Sequence, residues 1–150
     1  MKKLTRTIIA GSLLFSQWAN AATQDSITLR NGTEKLSRDI NRMITNMQAN
    51  ESDLNEADAK LLSYLLGASE RFEQTITYLD DGDAALDGGD ADTYLSYFAL
   101  ACNKVASARS KLYLAKRRAD VVMDPNVDPA ELETQRDDIV ELRDESNCPT

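Results

Sequence analysis

The sequence predicts an all-α protein, an antiparallel four-helix bundle whose short C-terminal helix is tethered by a disulfide. Three observations predict it. Apolar residues recur at steps of three and four along four separate segments, the period of helices with one buried stripe. Aspartates, asparagines, glycines and prolines fall between those segments, where helices start and stop. The only two cysteines, Cys102 and Cys148, lie where a helical hairpin would bring them together.

The first residues read as a targeting segment. Lys2, Lys3 and Arg6 form a basic region, Ile8 to Phe15 a short apolar core, and Ala19-Asn20-Ala21 an A-x-A cleavage site. The expected leader is residues 1–21, with a single domain at 22–150; a soluble N-terminal helix is the alternative. The apolar run falls short of the roughly 20 residues that a membrane span needs. The leader carries three positive and no negative side chains, so its removal takes the net charge from −8 to −11. It also carries the only tryptophan, Trp18.

Within the domain the pattern turns helical from Thr28, and helix one is expected over about Gly32–Ala49, with Leu29, Leu36, Ile40, Met43, Ile44 and Met47 on one side. Asn31 and Glu34 read as a capping pair, although the helix could run through Gly32 at a cost of about 1 kcal/mol against alanine. Asn50-Glu51-Ser52-Asp53 is a polar break. Asn55 then caps helix two, whose stripe is Leu61, Leu65, Ala68, Phe72, Ile76 and Leu79. Gly67 stands in a broad apolar patch, where it reads either as permitting close helix approach or as a mere weak point in the helix.

Asp80 to Asp92 holds six aspartates and three glycines with no base, and reads as a loop containing at most one helical turn. Clustered carboxylates on a flexible loop are what a hard cation needs, so Asp80, Asp81, Asp83 and Asp87 are candidate metal ligands, although the spacing is not that of an EF-hand. Asp90 is the expected N-cap of helix three. Its stripe is Tyr94, Phe98, Ala101, Val105, Ala108, Leu112 and Ala115, beside a column of Cys102, Arg109 and Lys116. Val121-Val122-Met123 extends the helix or covers the bundle end. Asp124-Pro125 stops it. Asp128-Pro129-Ala130-Glu131 starts helix four, which runs to about Asp144 with Leu132, Gln135, Ile139 and Leu142 facing inward.

A hairpin turning at 119–128 returns Cys148 to the level of Cys102, because 16 residues of helix, about 24 Å, separate Cys102 from Arg118 and a similar length follows Pro129. An oxidising compartment favours the bridge, and closing a loop of that size stabilises by about 3–4 kcal/mol. The same register pairs Arg109 with Asp138 or Glu141, and Lys116 with Glu131 or Glu133.

For function, the sequence excludes more than it names. Net negative charge opposes binding to nucleic acid or anionic membranes. The absence of histidine removes the commonest general base, the Ser-His-Asp triad and histidine-ligated zinc. Ser107, Ser110 and Thr93 have no base beside them, so no catalytic residue and no cofactor is expected. Tyr94, Tyr97 and Tyr113 read as packing. The leading expectation is a non-enzymatic, exported, periplasmic protein, or alternatively a secreted one. It would act by protein–protein interaction through an acidic surface that favours a basic partner. A cation- or ligand-binding bundle using Asp80–Asp92 is the second reading, and an enzyme the third.

Overall fold

A computed structural model describes the backbone of residues 2–50 and 54–150, and the side chains of 16–50 and 54–150. The polar break at 51–53 and the side chains of residues 1–15, which hold the basic region and apolar core of the expected leader, lie outside the described residues. Four α-helices and no strand occur among the described residues: α1 (Lys2–Gln48), α2 (Glu56–Asp87), α3 (Ala91–Val122) and α4 (Pro129–Glu145). Each runs antiparallel to the next. α2 packs on α1 and α3, and α4 closes the ring by packing on α3 and α1.

The expected start of α1 at Gly32 is corrected: the helix is continuous through Gly32, and Asn31 and Glu34 are interior residues rather than caps. Its buried stripe continues backwards as Thr33, Leu29, Ser26 and Ala22, still at steps of three and four. Gly32 is where α1 and α4 meet most closely; a Cβ there would lie 2.3 Å from Leu142 Cδ1.

α2 starts as the sequence predicts. The Asn55 side chain accepts the Ala57 and Asp58 amides at 2.9 and 3.0 Å, satisfying donors that have no partner within the helix. Its end does not. The helix continues two turns past Leu79, so Asp80 to Asp87 is helical rather than a loop. Gly82 serves close packing there: a Cβ would stand 3.3 Å from Tyr97 Cβ on α3. The turn itself is only Gly88-Gly89-Asp90, with Gly89 at φ +80°, a conformation that suits glycine.

α3 buries every residue of its predicted stripe, together with Cys102 and Ala119. It ends on Met123 in the left-handed conformation. Val121 and Met123 do not cover the bundle end, being 74% and 82% exposed; Val127, in the following turn, is buried there instead. Asp128 caps α4 by accepting the Ala130 amide at 2.9 Å, with Pro129 in the first turn. Leu132, Gln135, Ile139 and Leu142 face inward as the period predicts.

The unequal helix lengths shape the molecule. α3 has 32 residues and α4 17, about 48 Å against 26 Å at 1.5 Å per residue. The bundle is therefore four helices thick around Leu112 and Leu132, and three thick at the end holding the α2–α3 turn.

Candidate functional site

The three-helix end gathers the features that packing alone does not explain. α2 brings its aspartates there as consecutive helical residues, which point in different directions. Asp80 and Asp83 turn toward α1 and hold Arg30 Nη2 at 2.7 and 3.3 Å. Ser26 Oγ donates to Asp83 at 2.8 Å. Partial burial works against the charge of Arg30, but Asp80 and Asp83 outweigh it and raise the guanidinium's pKa. Two of the four candidate metal ligands are thus committed to an arginine. Among the described residues, no group of three or more histidine, cysteine, aspartate or glutamate side chains is arranged to hold a metal ion. The expected flexible loop is absent because the helix consumes it.

Beside this acidic end lies an apolar hollow of about 520 Å³. Trp18 and Ala22 of α1, Tyr94, Leu95 and Phe98 of α3, and Pro149 of the tail line it. Among the described residues its single charged lining residue is Asp25, which accepts a hydrogen bond from Asn147 Nδ2 at 2.8 Å. The walls form an aromatic series: Trp18 meets Tyr94 edge-on at 6.0 Å between ring centroids, and Tyr94 stacks on Phe98 at 5.8 Å. The buried Tyr94 hydroxyl donates to the Ala22 carbonyl at 2.6 Å. Burial, followed by the nearby Asp83 and Asp25, pushes its pKa up to about 12.

The tail forms the other limit of the hollow. The Cys102–Cys148 disulfide is present, with 2.03 Å between sulfurs and 5.7 Å between Cα atoms. It fastens the residues after α4 to the middle of α3, as the hairpin register predicts. The register's ion pairs differ from expectation. Glu131 pairs with Arg42 of α1, Glu133 with Arg136 in its own helix, and Lys116 with Asp120 on α3. Arg109 lines a shallow hollow with Asp137, Glu141 and Asp144 but forms no ion pair among the described residues. Local pairs one turn apart need less side-chain ordering, and α1 supplies a cation that the α3–α4 hairpin register did not include. Asp137, Asp138, Glu141, Asp144 and Glu145 consequently present a row of carboxylates with no ion-pair partner among the described residues.

Two of the three hydroxyls that the sequence singles out bond locally, within or at the cap of their own helix. Ser107 Oγ donates to the Lys104 carbonyl at 2.8 Å, and the Thr93 hydroxyl to Asp90 at 2.7 Å. The two Thr93 hydrogen bonds hold the Asp90 carboxyl below the usual range, as for an N-cap aspartate. The guanidinium groups of Arg117 and Arg136 stand 5.8 and 5.0 Å from the Tyr113 ring centroid. Tyr97 packs against Tyr78.

The hollow is not legible in the sequence because Trp18 falls within the expected leader, and Tyr94 and Phe98, which are buried as their spacing predicts, read only as packing. The signal was the brevity of α4 beside α3. No helix of the described residues is long and apolar enough to cross a membrane. No family model, curated protein or solved structure matches the chain. The fold and its bridge define a disulfide-fastened four-helix bundle.

Proposed function

We propose that this is an exported protein of the periplasm that acts by binding another protein through its acidic surface. The observation that carries the reading is the row of carboxylates along α4. Asp137, Asp138, Glu141, Asp144 and Glu145 form no ion pair among the described residues, whereas Asp80 and Asp83 do; Arg109 and Lys35 line the hollows beside the row without closing a bridge to it, so five carboxylates outnumber two cations there. Unpaired surface charge of one sign steers an oppositely charged partner and contributes more to association rate than to fold stability. The disulfide suits an oxidising compartment.

The test is capture from a periplasmic extract, using the wild-type protein and a variant with all five carboxylates changed to the matching amides. A cationic protein retained by the wild type at low salt, released by added salt and missed by the amide variant supports the reading. Equal capture by both proteins overturns it.

A further inference from the structure

α3 and α4 carry opposite charge. From 93 to 119, α3 has six bases and no acid, whereas α4 has seven acids and two bases. Tyr97, Lys104, Lys111 and Arg118 stand seven residues apart and form one column along α3. The column flanks α2. Tyr97 packs against Tyr78, and Arg118 Nε donates to the Ala57 carbonyl at 3.3 Å. The Lys111 stem runs past Gly67, where a Cβ would lie 3.3 Å from Lys111 Cδ. Lys60 and Arg71 lie on the same side of α2 as Gly67, seven residues before it and four after. The seam between α2 and α3 thus bears five cations on a chain whose net charge is −8. Lys60, Lys104, Lys111 and Arg118 form no ion pair among the described residues, and Arg71 has Glu70 at 3.9 Å. Glu56, exposed in the first turn of α2, borders the Arg118 end.

We infer that this seam seats the α4 helix of a second copy of the chain, and that copies join head to tail through the contact. The inference rests on the acidic-surface reading and gives its row of carboxylates a partner surface. Charge and spacing both match. Lys104, Lys111 and Arg118 recur every two helical turns, about 10 Å, and Asp137 and Asp144 are separated by the same seven residues with Glu141 between them. A second α4 laid lengthwise along the seam therefore sets Asp137 and Asp144 level with two successive cations. The contact also covers apolar surface on both sides: Leu114 beside the cations is 38% exposed, and Val140 within the acid row 43%. A molecule does not fill its own seam, because the Cys102–Cys148 bridge holds α4 on the opposite flank of α3, the side of Cys102 and Arg109. Two different surfaces meet, so the contact is heterologous and repeats from copy to copy instead of closing as a symmetric pair.

Sedimentation velocity of the full chain reads this directly. At about 0.1 M salt the screening length is about 10 Å, which damps repulsion between whole molecules while charges in contact still attract. The weight-average mass is expected to rise above the monomer with concentration and to fall back at about 1 M salt. Two variants each remove one side of the contact: the α4 amide variant and Lys104→Glu/Lys111→Glu. Each is expected to lower the association constant about tenfold or more. Their equimolar mixture retains one intact seam and one intact acid row, so it forms one-to-one complexes that grow no further. Circular dichroism checks the fold; if the glutamate pair unfolds, Lys104→Gln/Lys111→Gln removes the same charges and is expected to weaken association in the same direction. A wild type that stays monomeric at every concentration overturns the inference, and the extract capture then judges the acidic-surface reading by itself. Association that persists in either variant places the contact elsewhere and also overturns it. A mixture that fails to pair, or that grows beyond one-to-one, refutes the head-to-tail arrangement.

Discussion

Gln135 occupies a core position in α4 between Leu132 and Ile139, both fully buried. Its side chain is 3% exposed, and neither its amide oxygen nor its nitrogen has a hydrogen-bond partner among the described residues. Burying an amide without such partners costs about 1–3 kcal/mol by the scale of protein mutations. Leucine has a similar volume and no polar atom to satisfy. Gln135→Leu is therefore expected to stabilise the bundle by about 1–3 kcal/mol. For a chain of this size, each kcal/mol raises the melting temperature by about 2–4 °C. Urea unfolding followed by circular dichroism measures the gain: the midpoint rises and the slope is unchanged, because the surface exposed on unfolding is nearly the same. Gln135→Glu, which buries a charge at the same place, moves the midpoint down. An unchanged or lowered midpoint for Gln135→Leu would refute the claim that the amide is an uncompensated burden on the core.

Two further predictions concern α1. Gly32→Leu forces α1 and α4 apart at Leu142 and is expected to cost about 1–3 kcal/mol despite the better helix propensity of leucine. Combining it with Leu142→Ala gives a smaller loss than the sum of the single changes, since the new side chain takes the vacated space; additive urea midpoints would contradict the contact. Burial pushes the Tyr94 phenol from its ordinary 10.0 up to about 12. Its contribution to stability is fully present below about pH 10 and is lost as pH climbs through its folded value. Tyrosinate absorbance should show one of the five tyrosines ionising late, coincident with loss of helical signal. Tyr94→Phe removes that late step and costs about 1 kcal/mol at neutral pH through the lost bond to the Ala22 carbonyl. A late step that survives in the phenylalanine variant would assign the shift elsewhere.

How far the sequence revealed the structure depended on whether one local signal faced a competitor. Helices two to four were legible at their starts because Asn55, Asp90 and Asp128 each satisfy free amides, an interaction that needs no tertiary contact. The α3 stripe was legible because all its members are apolar. The early half of the α1 stripe was hidden by Ser26 and Thr33, polar residues at buried positions. Gly32 then resembled a helix boundary, although its role is to admit Leu142 from a helix more than a hundred residues away. The α2 end was misread for a related reason: glycine and aspartate favour loops in isolation, but Arg30 and the aromatic rings of α3 supply partners along the extra turns. The candidate site was the least legible part, since it arises from the difference in length between two helices and from Trp18, which the sequence assigns to a removable segment.

The central claim is that one covalent bond holds α4 and the tail across the rest of the bundle. The most direct measurement is thermal unfolding of the oxidised protein beside the reduced protein and a Cys102→Ala/Cys148→Ala variant. The bridge joins residues 46 apart, and closing a loop of that length is worth about 4 kcal/mol in a chain-entropy model. Reduction and the double substitution should each lower the melting temperature by about 10 °C, with no free thiol detectable before reduction. Coincident melting curves, or two titratable thiols in the unreduced protein, would contradict the account.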